Sequence, residues 1–308
     1  MIVLTKLREL NISAAAAGIR PLHLSAASGL VCLNSIMYVV ADDELHLGVF
    51  SVADRKPGHL IRVFDGVLPG SKAARKRQKP DLEALAFLPA FRDFPHGALL
   101  AFGSGSRPNR RRGVLLGLDP HGVICGSPRS LDLSPILVPL NEEFSEVNIE
   151  GVVVVSDELR LFQRGNKGQA GNAIIRFQLS TVLDALQSER IGAIKPSAIS
   201  RLDLGSIHGV PFSFTDAAAL PNGDMVFSAV AEDTEDAFRD GPCIGALIGI
   251  ADNNGDLRSL HRFDRPYKIE GIDARLDGNR LDLLLVTDAD NPDIPAVLLS
   301  STMNIPDL

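Results

Sequence analysis

Four short segments of this 308-residue chain set a carboxylate at the same point of a shared pattern: an apolar or small residue, an acid, a small residue, then a β-rich run. They are Asp81-Leu82-Glu83-Ala84-Leu85, Asn148-Ile149-Glu150-Gly151-Val152, Phe214-Thr215-Asp216-Ala217-Ala218 and Lys268-Ile269-Glu270-Gly271-Ile272. A fifth, weaker copy, Ala26-Ala27-Ser28-Gly29-Leu30, has serine in place of the acid. Carboxylates gathered out of water repel one another, so either some take up protons or a cation sits among them. Glu83, Glu150, Asp216 and Glu270 are therefore candidate metal ligands. An all-oxygen set without cysteine suits Ca²⁺, with Mg²⁺ as the alternative that keeps several waters. The competing reading is structural: each acid accepts backbone N–H groups of the next segment and locks the assembly.

Positive charge is concentrated just outside these segments. Residues 71–80 carry Lys76 and Lys79, residues 104–112 carry Arg107, Arg110, Arg111 and Arg112, and Arg164 opens a shorter basic, glycine-rich run over 164–169. Next to a bound cation, such side chains and exposed glycine amides can clamp a phosphate or carboxylate. The plainer reading is a set of solvated loops. Two acidic stretches, 232–240 and 287–293, could extend the metal site through Glu232, Asp288 and Asp290. Asp288-Ala289-Asp290-Asn291 lacks the glycine and distal glutamate of an EF-hand loop. His23 and His208 fall in connections on the same side and are candidate general acids or bases.

These residues can act together only if a fold brings them together, and the spacing says which one. The third residue of each segment recurs after 55, 67, 66 and 54 residues, and the path from Glu270 through both termini to Ser28 spans 66. That last interval matches the others only if the two ends of the chain share one repeat. Within repeats, short β-rich runs follow one another. In the first they are 28–33, 35–41, 46–52 and 59–64; in the fourth, 216–220, 225–230, 244–250 and 257–263, split by Pro221-Asn222-Gly223-Asp224 and by 252–256. Four strands per unit without a sustained helical period indicate a β-propeller blade. The last repeat supplies three runs, 271–275, 280–287 and 296–301, and residues 2–9 are the expected fourth strand. The reading is all-β: a single five-bladed β-propeller over residues 1–308, closed by the N-terminal strand pairing in the last blade, with six blades as the alternative. Residues 179–187 are expected to form a short helix.

Composition narrows the function classes. The 31 Lys+Arg against 38 Asp+Glu leave a net charge of −7, which with two tyrosines and no tryptophan argues against a nucleic-acid partner. No apolar run approaches the roughly 18 residues of a membrane span, so no membrane partner and a cytoplasmic location are expected. Cys32, Cys125 and Cys243 are too dispersed for a zinc knuckle or redox pair and are expected as reduced, buried thiols. Gly-x-Ser-x-Gly and a strand-flanked GxGxxG are both missing.

The repeated Ile149-Glu150-Gly151-Val152 and Ile269-Glu270-Gly271-Ile272, with Ala27-Ser28-Gly29-Leu30, resemble the inner-strand motif of bacterial propellers of the phytase-like esterase and SdiA-regulated groups. The layout resembles an uncharacterised bacterial propeller family related to these. The resemblance implies, for some members, a channel calcium ion and phosphoester hydrolysis. It departs at Ser28, and the multi-lysine, multi-aspartate pattern of true β-propeller phytases is missing. The reading is a calcium-dependent hydrolase of a phosphoester or other anionic small molecule, with a non-catalytic ligand- or protein-binding propeller holding a structural metal as the rival.

Overall fold

In a computed structural model, which describes residues 1–13, 22–165, 171–187, 192–234 and 241–305, the repeats become five antiparallel sheets arranged as a five-bladed β-propeller. The chain starts with β1 (Thr5–Glu9), then builds blade 1 from β2 (Ala27–Leu33), β3 (Ile36–Ala41), β4 (His46–Ser51) and β5 (His59–Arg62). Blade 2 is β6 (Leu82–Leu88), β7 (Ala98–Gly103), β8 (Arg112–Gly117) and β9 (Arg129–Asp132). Blade 3 is β10 (Ile149–Val155), β11 (Glu158–Gln163), β12 (Asn172–Gln178) and β13 (Ala198–Leu202). A small hairpin, β14 (Ser206–Ile207) and β15 (Val210–Pro211), leads to blade 4: β16 (Ser213–Ala219), β17 (Met225–Glu232), β18 (Cys243–Ala251) and β19 (Leu257–Arg262). Blade 5 holds β20 (Ile269–Asp277), β21 (Arg280–Thr287) and β22 (Val297–Asn304), and β1 pairs antiparallel with β22 as its outer strand. The ring is thus closed by the two ends of the chain, which removes the sheet edge an open ring would expose.

The core lies between blades. Five apolar layers fill the five inter-blade gaps; in the layer between blades 3 and 4, Phe214 meets Phe162 and Phe227 edge-on at centroid distances of 5.0 and 4.8 Å. Alternate side chains of β2, β6, β10 and β16 feed opposite layers, which explains their near-continuous apolar runs, whereas the apolar residues of β20 enter only the layer between blades 4 and 5. Residues 179–187 are helical as expected. The basic run at 71–80 differs from its expectation as an irregular loop, since Lys72–Gln78 is a helix. We number these two α1 (Lys72–Gln78) and, after the short α2 (Ser134–Leu137), α3 (Leu179–Gln187). All three cysteines are free, but in contrast to the buried state expected for them Cys32 and Cys243 are only partly buried and Cys125 is exposed. Among the described residues no helix is long and apolar enough to cross a membrane. The basic residues 166–169 and acidic residues 235–240 lie outside the described part.

Candidate functional site: the charged mouth of the channel

Each inner strand begins with a register shift against its partner, and the bulged residues are Ser28, Glu83, Glu150, Thr215 and Glu270. A β-bulge places two residues opposite one and re-aims the extra side chain. Glu83, Glu150 and Glu270 are therefore equivalent and near one another: Glu150 is among the charges acting on Glu83 and on Glu270. Asp216 is not their equivalent. It stands one residue later, where the other blades have Gly29, Ala84, Gly151 and Gly271, at the narrow waist of the channel. A Cβ on Gly29 would lie 2.8 Å from the Leu85 nitrogen, and one on Gly151 would lie 3.0 Å from the Ala217 nitrogen, so the inner strands leave no room there. The Asp216 carboxylate is fully buried and accepts the Ile272 N–H of blade 5 at 2.9 Å, with the Ala217 and Leu30 amides also directed at it. Burial pushes its pKa well above the usual carboxylate range. The expected four-carboxylate ring is therefore corrected to three glutamates, and blade 4 puts Thr215 at the shared position, bonded to the Ser228 hydroxyl at 2.9 Å.

The loops joining second and third strands complete the mouth. In four blades the residue two before the bulge pairs with the residue that ends or follows the second strand: the N–H groups of Asp42, Ser104, Arg164 and Asp288 donate to the carbonyls of Ala26, Asp81, Asn148 and Lys268. Two charged nests result. On the side of blades 1 and 2, the Lys79 ammonium pairs with Asp42 and, at 2.8 Å, with Asp81 Oδ1. Arg110 Nη1 and the Ser104 hydroxyl donate to Asp81 Oδ2 at 2.7 and 2.5 Å. On the side of blades 3 to 5, Arg164 bridges Glu150 at 3.5 Å and Glu232 at 2.8 Å. Lys268 there meets Asp290 at 2.7 Å, Glu232 at 3.0 Å, Glu270 at 3.5 Å and Asp288 at 4.0 Å. Asn148 donates to Glu150 Oε1 at 2.6 Å.

Carboxylates outnumber cations in this cluster, and the protonation tendencies follow. Burial, then Asp81, Glu150 and Asp42, push Glu83 well above the ordinary range. Burial does the same to Glu270 and raises Glu150 against the pull of nearby cations. Asp288 is pushed up to about 8, again mainly by burial. Asp81 is lowered instead, because Lys79 and Arg110 outweigh the effect of burial. Burial also opposes the charge on Lys79 and Lys268, but their carboxylates overcome it and hold both well above the usual lysine range.

The expected basic clamp divides. Lys79, Arg110 and Arg164 are inside the cluster, each held by carboxylates. Lys76, Arg107 and Arg111 are partly exposed, whereas the Arg112 guanidinium lies 4.2 Å over the Phe64 ring. The histidines are not brought to the cluster. His23 bonds the Pro292 carbonyl at 3.1 Å, and His208 is exposed at the tip of the β14–β15 turn with φ 51°. Glu232, Asp288 and Asp290 do join the cluster. Asp42, Asp81 and Lys268 are the members that sequence reasoning missed, although Asp81 and Lys268 open marker segments and Asp42 directly follows β3.

Residues 23–303 match a family of unknown function, DUF6929. The chain belongs to that family. No curated protein matches the chain in sequence. Among solved structures, this DUF6929 chain is similar to the α-L-arabinofuranosidase PaAbf62A from Podospora anserina, in complex with cellotriose, at 11% identity and TM-score 0.52, over 99% of this chain and 97% of that one. It is also similar to a luciferin-regenerating enzyme at 10% identity and TM-score 0.49, over 98% and 95%. At 11% identity the likeness to the arabinofuranosidase is one of fold.

Proposed function

We propose that the DUF6929 mouth is the site of a divalent-cation-dependent hydrolase acting on an anionic small molecule, a phosphoester first among them. The supporting observation is the group Asp42, Asp81 and Glu83, which offer one oxygen each, all within 4.8 Å of one another. Glu83 is the informative member, since no lysine or arginine among the described residues pairs with its carboxylate. Three hard oxygen donors without sulfur or imidazole fit Ca²⁺, or Mg²⁺ with retained waters. The ion would supply the positive charge that polarises a substrate oxygen. Glu150, whose proton is stabilised by burial, would act as the general acid, oriented by Asn148. Arg107 and Arg111 would meet the anion at the rim.

The decisive experiment is turnover of a phosphoester and lactone panel with Ca²⁺ or Mg²⁺, comparing wild type with Glu150→Gln. Metal-dependent turnover that vanishes in a folded Glu150→Gln protein supports the reading, and turnover unaffected by the substitution removes it. One observation favours a second reading. Lys79, Arg110, Arg164 and Lys268 are all engaged by the protein's own carboxylates, as in a mouth built to bind a ligand without transforming it. That reading expects no turnover across the panel and a ligand or partner recovered by pull-down.

A further inference from the structure

Helix α1 lies at the blade 1–2 edge of the mouth, and apolar packing does not hold it there. Among its described residues none belongs to the five apolar layers. The chain reaches it through a stretch in which Leu68 packs on the layer between blades 1 and 2, while Val67 is 91% exposed and Gly66 and Gly70 face open space. Its attachments are polar. Arg75 Nε donates to the Asp43 carbonyl at 3.0 Å, and its Nη2 pairs with Glu44 at 3.1 Å. Arg110 Nη2 donates to the Lys76 carbonyl at 2.9 Å, and Asn109 donates to the carbonyls of Arg77 and Lys79 at 3.3 and 3.1 Å. The last latch is Lys79 itself, which caps the helix and holds Asp42 and Asp81. These are two of the three carboxylates of the candidate cation site.

We propose that α1 is a lid whose closure competes with the divalent cation. The Lys79 ammonium, tethered to the helix end, occupies the Asp42 and Asp81 oxygens that an ion would need, and a divalent ion on those oxygens would meet its charge directly. Ion binding therefore expels Lys79, releases that latch of the helix and frees α1 from the edge of the mouth. By reciprocity, whatever loosens the helix tightens the ion. The inference rests on the cation reading of the mouth.

Calorimetry with Ca²⁺ and amide hydrogen exchange of residues 72–79, on the full chain, test it together. In wild type, saturating Ca²⁺ is expected to raise exchange across 72–79 by about tenfold or more, the scale of a modest coupling energy. Lys79→Met is expected to bind Ca²⁺ more tightly and to show fast exchange of the helix before any ion is added. Arg75→Gln, which loosens the helix without touching Asp42, Asp81 or Glu83, is expected to tighten Ca²⁺ by about threefold or more through the same coupling, and it keeps the test valid if Lys79→Met fails to fold. Ca²⁺ binding that leaves exchange of 72–79 unchanged, or unaltered affinity in Arg75→Gln, overturns the lid alone. No Ca²⁺ binding by wild type or either variant overturns the cation reading and the lid with it.

Discussion

Blades 4 and 5 open their inner strands with similar runs, Phe214-Thr215-Asp216-Ala217 and Ile269-Glu270-Gly271-Ile272, yet the two acids occupy opposite environments. Glu270 is in the bulge and faces the mouth, where Lys268 stands 3.5 Å away and its Oε1 accepts no hydrogen bond. Asp216 is one residue past the bulge and fills the waist among backbone amides. In a strand a one-residue offset turns a side chain to a different face. The same carboxylate thus serves as a channel pin in one blade and as part of a charged mouth in another. Blade 4 contributes Glu232 to the mouth instead, from the end of its second strand.

Substitutions at the waist and the mouth should therefore have opposite signs. The largest effect is expected for Gly29→Val, whose Cβ would meet the Leu85 nitrogen at 2.8 Å. Backbone cannot yield as a side-chain tip can, so urea unfolding should show a loss of more than about 3 kcal/mol, or no soluble protein. Asp216→Ala should cost about 2 kcal/mol by the same measurement, because buried amides lose their acceptor. Asp216→Asn keeps a carbonyl oxygen there and should recover most of that loss. A neutral Asp216→Ala would mean that the waist closes without its pin.

The next effect is one of pH. Asp273 accepts the Cys32 N–H at 3.1 Å, and burial pushes it up to about 6 from the ordinary 3.8. Between those values the folded chain holds a proton that the unfolded chain has released, so stability falls as pH rises through this window. Asp273→Asn should flatten that fall by on the order of 2 kcal/mol; an unchanged slope in unfolding curves from pH 4 to 6.5 would contradict the assignment. The smallest effect belongs to the mouth. Glu83→Gln removes a carboxylate crowded by Asp81, Glu150 and Asp42, and without added metal it should raise stability at pH 7 by less than about 1 kcal/mol. A marked loss there would place Glu83 with Asp216 as a structural acceptor.

The blades, their number and the closing of the ring by β1 on β22 were legible from spacing, because the interval across the termini matched those inside the chain. Helix α3 was legible at its full extent. Helix α1 was not, since seven residues form a helix only with outside support, and its support comes from Asp43, Glu44 and Arg110 on other elements. At the site, Glu83, Glu150 and Glu270 were legible as one set. Asp216 was misplaced because the motif alone carries no mark of where the bulge falls, and Thr215 is the residue the ladder skips. Arg112 and the two histidines looked available for chemistry only because exposure and direction are not written in a basic run or a loop.

By itself, the order of residues determined a repeating unit, four strands in it, a shared first and last blade, and a row of acids at one end of the inner strands. Those follow from local periodicity and from the need to cover every strand edge. Tertiary structure alone decided which acids meet, which cation each one keeps and which carboxylates remain close enough to share an ion. Asp42 follows β3 in blade 1, whereas Lys79 and Asp81 lie between α1 and β6, and the charges of the two groups interact over a few ångströms. Such distances are set by how blades 1 and 2 pack, and a sequence separation of about forty residues says nothing about them.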